Sequence, residues 1–129
     1  MAEPRLTYLD TKSLAEPIRL ALAIGGIAFE DVRWSPQTVA EEREALPFGQ
    51  VPTLTLDGKV YAQSGALLRW AGRQARLYPT DLSLPVDMVL GALHDIRSTL
   101  RPLWYGHAVH IAGRMLVPFT QDQQAAVMK

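Results

Sequence analysis

Cysteine is absent from all 129 residues of this chain. Its absence excludes disulfide bonds, thiolate metal sites and a Cys-x-x-Cys redox motif. Any chemistry that needs a thiol must therefore take that thiol from a substrate. His107 and His110 share a helix-like spacing, but no third ligand accompanies them, so no metal site is predicted.

The chain also lacks an excess of either charge and any long apolar run. Basic and acidic residues number 9 and 10 in residues 1–81, and 4 and 3 in residues 82–129. A nucleic-acid-binding protein would need a basic face, so that function is not expected. No run reaches membrane-spanning length and no signal-peptide core follows Met1. A soluble cytoplasmic protein with no membrane or nucleic-acid partner is expected.

Residues 1–81 show the pattern of a βαβ unit followed by a β-hairpin and a helix. Ser13 and Glu16 form a capping box for the first helix, Ser35-Pro36 opens the second, and Ser64 caps the third. Asp57-Gly58 is a strong signal for a tight hairpin turn. A βαβ unit makes its strands parallel and a hairpin makes them antiparallel, so a mixed sheet is predicted. Four strands are expected, at 5–9, 27–32, 53–56 and 59–62.

From residue 82 the pattern becomes helical. A long helix is expected from Pro85, because apolar residues recur at spacings of three and four from Val89 to Leu100. Pro102 is expected to kink or end this helix. A further helix is expected to start within residues 107–116. We therefore predict an α/β domain over residues 1–81 and a helical region over residues 82–129.

The stretch Pro47–Leu54 combines a Gly-containing turn with a proline that opens an apolar strand. Proline is tolerated at the first residue of a strand, and tight turns are where cis X-Pro bonds occur. A cis bond at Val51-Pro52 would leave the backbone N–H and C=O of Val51 facing outward. These groups could then pair with an extended peptide. Taken alone, the stretch also fits an ordinary loop before a strand.

As an ordered set, these motifs resemble the N-terminal half of a cytosolic glutathione transferase, most closely the tyrosine-type, sigma-like class. The resemblance implies a thioredoxin-like domain over residues 1–81, with a βαβ-ββα order and a mixed four-stranded sheet. It implies an all-α region clearly longer than residues 82–129, so an incomplete one is expected. Lack of cysteine excludes relatives that use a catalytic cysteine. The matching segments are Leu6–Asp10, Ala15–Leu20, Pro47–Leu54 and Gln63–Arg69.

The resemblance implies that Tyr8 is the catalytic residue. A hydroxyl that donates a hydrogen bond to the sulfur of glutathione favours the thiolate, which is the nucleophile. Gln63 and Ser64 would hold the γ-glutamyl end, because a helix start suits a carboxylate. The alternatives are that Tyr8 only packs in the core and that Ser64 only caps its helix.

Further glutathione contacts are implied on the loop before the third strand and on neighbouring elements. Val51 and Pro52 would provide the backbone pairing, Gln50 would add a polar contact, and Arg43 would meet the glycyl carboxylate. Asp95 would reach the glutathione of a neighbouring subunit. An ordinary solvated side chain is the alternative for both Arg43 and Asp95.

Two positions depart from the sigma-like pattern. Leu14 stands where those relatives carry an arginine, and Val39 stands where they carry a tryptophan. Both changes remove a hydrogen-bond donor near the tripeptide, so both are expected to affect affinity and rate. Trp34 lies close in sequence to Val39 and could replace part of its role.

The function implied is conjugation of glutathione, as co-substrate, to an apolar electrophile by a homodimer without a metal. Such a reaction is typical of detoxification. The second hypothesis is a non-catalytic protein of the same fold that binds a ligand or forms dimers. The sequence does not identify the electrophile, and isomerase or peroxidase activities stay open.

Overall fold

The computed structural model describes residues 2–105, 109–111 and 114–116, with side chains up to Arg101. The chain divides into two compact units, residues 1–83 and 84–129. Each unit is described by itself below.

The first unit begins with a parallel βαβ arrangement. Strand β1 (Arg5–Leu9) is followed by a 3₁₀ turn (Ser13–Ala15), helix α1 (Glu16–Ile24) and strand β2 (Glu30–Trp34). The two strands pair in parallel from Arg5 opposite Glu30 to Leu9 opposite Trp34. The βαβ unit predicted from the sequence is therefore present.

Two details of this unit differ from the prediction. Ser13 does not cap α1 through its side chain, and its φ of 30° leads into the 3₁₀ turn instead. Strand β2 begins three residues later than expected. The reason is that the Ile27 N–H still bonds to the Leu22 carbonyl at 2.9 Å, after Gly26 takes a positive φ of 64°. Residue 27 thus closes the helix end and does not start a strand.

The segment between β2 and the third strand consists of a short helix and two 3₁₀ turns. Helix α2 (Pro36–Glu42) starts where predicted and ends before Leu46, and the Ser35 side chain caps it by accepting a hydrogen bond from the Thr38 N–H at 3.1 Å. Two 3₁₀ turns follow, at Arg43–Ala45 and Pro47–Gly49. They carry the chain to the loop that precedes the third strand.

Strands β3 (Thr53–Leu56) and β4 (Lys59–Ala62) form the predicted antiparallel hairpin. Asp57 and Gly58 have φ values of 47° and 79°, as a tight hairpin turn requires. Strand β3 also pairs with β1, antiparallel, so the sheet order is β2-β1-β3-β4. The mixed four-stranded sheet predicted for residues 1–81 is confirmed.

The core of this unit joins the two central strands to two helices. Its largest fully buried side chains are Leu6 of β1, Leu54 of β3, and Ile18 and Leu22 of α1. Helix α3 (Ser64–Gln74) adds Leu67 and Ala71. The helices meet closely at their carboxyl ends, where a Cβ on Gly25 would lie 2.6 Å from the Cβ of Ala75.

The second unit contains the expected long helix. Helix α4 spans Ser83–Tyr105, so it begins slightly earlier than expected and continues past Pro102 for three residues. The stretch expected to start another helix contains two short antiparallel strands, β5 (Val109–Ile111) and β6 (Arg114–Leu116). That expectation is therefore wrong in the described residues, and β-branched Val109 and Ile111 favour strand there.

Among the helices that the structure describes, none combines the length and the apolar character that a membrane span needs.

Candidate functional site

Three of the segments singled out in the sequence converge at one end of the sheet. In the hydrogen-bonded ladders, Thr7 of β1 lies opposite Thr53 of β3, which lies opposite Ala62 of β4. Immediately beyond this row, on the same side, lie Tyr8 of β1, Pro52 just before β3 and Gln63 just after β4. The sheet register therefore brings residues that are far apart in sequence to the same end of the sheet, which is called the shared edge below.

Gln63 joins this edge to the loop before β3. Its side-chain Nε2 donates a hydrogen bond to Oε1 of Gln50 at 3.4 Å. Its backbone has φ 76° and ψ 106°, a conformation that residues other than glycine rarely adopt. Such outliers concentrate at ligand sites, where the surrounding structure holds them. Gln63 is exposed and Gln50 is half-buried, so both side chains can meet a ligand.

The loop itself has the backbone expected from its sequence. The Val51-Pro52 peptide bond is cis. Val51 lies outside the β3 ladder, and none of the turn and loop hydrogen bonds within the described residues engages its backbone. Its N–H and C=O are thus free of protein partners in that part of the chain. Pro52, the next residue, is buried.

Arg43 lies beside the same loop. A Cβ on Gly49 would come within 3.1 Å of the Arg43 Cγ, so the arginine stem runs along the turn. The turn is tied to its neighbour, because the Gly49 N–H bonds to the Leu46 carbonyl and the Leu46 N–H bonds to the Arg43 carbonyl. Arg43 is exposed and forms no salt bridge with the side chains of residues 2–101.

Helix α3 starts directly at this edge. Ser64 is its first residue and not its cap, since Gln63 occupies the cap position and no side chain caps the helix. The Leu67 N–H makes the first intrahelical bond, to the Gln63 carbonyl at 3.0 Å. The N–H groups of the preceding turn are left by geometry without intrahelical partners. They form a positive end that suits a carboxylate.

Residues 13–74 match the family of the glutathione S-transferase N-terminal domain. By its N-terminal domain, this chain belongs to the glutathione S-transferase family. The whole chain is similar to Glutathione S-transferase 1 of Ascaris suum, with 33% identity over 132 residues, which cover 59% of that protein. A 100-residue alignment with Glutathione S-transferase 2 of Manduca sexta has 38% identity and covers 76% of this chain and 49% of that protein.

A solved glutathione S-transferase structure supports the same assignment. The structure from Ascaris lumbricoides superposes with a TM-score of 0.74 and 36% identity, over 79% of this chain and 51% of that one. The chain thus spans about half the length of the relatives that it matches. What these comparisons establish is the family and the fold of the N-terminal domain.

The structure brings most of the predicted glutathione S-transferase site residues into one unit. Gln50, Val51, Pro52 and Gln63 lie at the shared edge, and the residues next to them in this unit are Tyr8, Arg43 and Ser64. Tyr8 is only 3% exposed, because its ring is part of the core. Asp95 is exposed on α4, in the other unit.

The two departures from the sigma-like pattern also have places in the structure. Leu14 is half-buried in the 3₁₀ turn before α1 and packs against the core. Val39 is half-buried on α2, and Trp34 is the last residue of β2, paired with Leu9. Leu14 therefore provides apolar packing, and no side-chain hydrogen-bond donor, at the turn that follows Tyr8.

The sequence interpretation missed a buried arginine behind this turn. Arg19 lies among the apolar residues of α1, with 7% of its side chain exposed. It contacts Glu16 and Asp31, and Asp31 also contacts Arg33. A signal was present, since Arg19 falls between buried Ile18 and Leu22 and has Glu16 three residues before it. A charge on a buried helix face requires partners, and these partners could have been sought.

Proposed function

We propose that this chain binds glutathione at the edge formed by β1, β3 and the start of α3, and stabilises its thiolate for attack on an apolar electrophile. The observation that carries the proposal is the row Thr7–Thr53–Ala62 with Gln63 bonded to Gln50. This row aligns a hydroxyl-bearing residue, a loop with an unpaired backbone and a helix start. Those are the three parts that an extended thiol tripeptide needs.

The tripeptide would lie across these parts in an extended form. The backbone of Val51 would pair with the cysteinyl residue as an added strand does. The γ-glutamyl carboxylate would accept hydrogen bonds from the first turn of α3, at Ser64, beside the amides of Gln50 and Gln63. Arg43, on the far side of the loop, would meet the glycyl carboxylate. Each end of the ligand carries a carboxylate, and each carboxylate would meet positively polarised donors, the start of α3 at one end and the Arg43 guanidinium at the other.

The chemical step would depend on the charge state of the bound thiol. A free thiol is mostly protonated near neutral pH, and only the thiolate attacks. A hydrogen bond from the Tyr8 hydroxyl to the sulfur would favour the charged form. The thiolate would then form a carbon–sulfur bond with the electrophile, which expels a leaving group or takes up a proton. The protein forms no covalent bond with either reactant in this scheme.

The proposal extends to a cytoplasmic homodimer in which Asp95 of one subunit contacts the glutathione of the other. Its support is the family, together with the position of Asp95 on an exposed stretch of α4. Sedimentation velocity with and without glutathione tests the dimer. Loss of affinity in Asp95→Asn, seen only at concentrations where the dimer forms, tests the contact.

The first experiment is a melting-temperature titration of the 129-residue chain with glutathione. A ligand that binds only the folded state stabilises it by about 2.7 kcal/mol at a hundredfold excess over its dissociation constant. We expect a saturable rise with glutathione and a much smaller rise with the dipeptide cysteinylglycine, which lacks the γ-glutamyl group. No rise in a folded sample would contradict glutathione binding and leave the non-catalytic hypothesis.

A further inference from the structure

The buried arginine of α1 holds the loop that follows Tyr8. Nη1 of Arg19 donates to the backbone carbonyl of Thr11 at 2.8 Å and to the Glu16 carboxylate at 3.1 Å. Its Nε donates to the Asp31 carboxylate on β2 at 3.1 Å. A single guanidinium therefore joins the loop after β1, the first turn of α1 and the neighbouring strand.

Stability of the fold alone does not account for these buried hydrogen bonds of Arg19. Nη2 of Arg19 is buried and has no hydrogen-bond partner within residues 2–101. A buried donor without a partner destabilises the folded state. Replacing a buried ion pair by apolar packing is often neutral or stabilising. A role in placing the loop accounts better for a charge held at this cost.

A second arginine holds the same loop from outside. Nη1 of Arg33 donates to the Asp10 carboxylate at 2.9 Å, and its Nη2 and Nε donate to Asp31. The hydrogen bond that Arg33 donates to Asp10, and then those that it donates to Asp31, raise the pKa of the Arg33 guanidinium above its ordinary value. Asp31 is thus shared by both arginines, one of which binds the loop through Thr11 and the other through Asp10.

The loop that they hold is the continuation of the strand that carries Tyr8. Asp10 and Thr11 are the second and third residues after Tyr8, and the Thr11 N–H folds back to the Leu9 carbonyl at 2.8 Å. Three residues beyond Thr11 is Leu14, which offers no side-chain donor. The hydrogen bonds of Arg19 and Arg33 therefore hold the backbone that immediately follows Tyr8.

We propose that Arg19 is a positioning residue that, with Asp31, sets the loop after Tyr8 and thereby the acidity of a thiol bound there. This inference rests on the proposed glutathione site. The planar guanidinium can reach the three acceptors at once, whereas a lysine ammonium has one nitrogen at the end of a flexible stem. Arg19→Lys keeps the charge and loses the geometry.

The test is a pH titration of the ultraviolet thiolate band of glutathione bound to the full chain, at saturating ligand and well below the melting temperature. We expect Arg19→Lys to bind glutathione within about threefold of the unmodified chain, because the tripeptide contacts lie on other loops. We expect it to raise the pKa of the bound thiol by roughly one unit, a tenfold loss of acidity.

Arg5→Lys is the matched control. Arg5, on β1, also forms a salt bridge to β2, with Glu30 at 2.8 Å. Both of these side chains are about half exposed. It should leave the thiol pKa unchanged. An Arg19→Lys chain that is less stable but titrates like the unmodified chain would overturn the inference and leave Arg19 a structural role.

Asp31→Asn decides the matter if Arg19→Lys does not fold. Asp31 has 29% of its side chain exposed, and an asparagine would keep one oxygen acceptor for Nε. A smaller rise of the thiol pKa in this variant supports the inference, and an unchanged pKa overturns it. If the unmodified chain shows saturable glutathione binding but no shifted thiol, the inference fails while glutathione binding stands. If it shows no binding, the proposed function fails first.

Discussion

The side-chain amide of Gln63 donates a hydrogen bond to the side-chain carbonyl of Gln50, thirteen residues earlier, at 3.4 Å. If both amides bind the same tripeptide, removing one also frees the other. We therefore expect Gln50→Ala and Gln63→Ala each to weaken glutathione binding about tenfold, and the double variant to weaken it less than a hundredfold.

Isothermal titration calorimetry of the four proteins measures this coupling. Gln37→Ala is a suitable control, because Gln37 is an exposed glutamine that also donates to a side chain, Glu41, on α2. It should leave the affinity unchanged. Fully additive losses would mean that the two amides act independently of their hydrogen bond.

Replacement of Tyr8 by phenylalanine tests the thiolate mechanism. The ring is buried in the core, and Tyr8→Phe keeps that packing while removing the hydroxyl. Loss of one hydrogen-bond donor to a reacting anion typically costs about 10²–10³ in rate. We expect kcat for conjugation of a model electrophile to fall by that order, with the melting temperature nearly unchanged. Tyr61→Phe, at an exposed position of β4, is the control. An unchanged rate in Tyr8→Phe would rule out this role.

Arg43→Gln is expected to weaken glutathione binding and to reduce its dependence on salt. The side chain is exposed, and exposed ion pairs contribute about 0.2–1 kcal/mol, so the loss should be about 1.4- to 5-fold at low salt. The difference from the unmodified chain should shrink as ionic strength rises. Lys59→Gln, on the distant hairpin, removes the same charge and should have no effect. Equal losses in both variants would indicate a general charge effect and not a carboxylate contact.

Gly25→Ala is expected to destabilise the first unit. A Cβ there would lie 2.6 Å from the Ala75 Cβ and 2.8 Å from its Cα, so the ends of α1 and α3 must separate. Overpacking of this kind costs about 1–3 kcal/mol. Thermal unfolding should show a melting temperature lower by about 4–8 °C for each kcal/mol. Gly91→Ala, on α4 with nothing within 4 Å, should be neutral or stabilising. A stable Gly25→Ala chain would show that the helix ends can move apart at little cost.

The local elements were accessible from the sequence because their causes are local. Asp57-Gly58 specifies its turn through positive φ at two adjacent residues, and the flanking strands have the predicted bounds. Ser35 caps α2 through the Thr38 N–H three residues away. The start of β2 was predicted wrongly because a competing local hydrogen bond, from the Ile27 N–H to the Leu22 carbonyl, closes α1.

By itself, the sequence determined the family resemblance and the order of strands and helices in residues 1–81, and it singled out the stretch Pro47–Leu54. Only the tertiary structure decided that Gln63 takes the cap position with a positive φ and bonds to Gln50. It also decided that Arg19 donates hydrogen bonds to Thr11, Glu16 and Asp31. Most of these partners lie on different elements. Their meeting depends on strand order and register, which come from the packing of the whole domain and not from the spacing of residues along the chain.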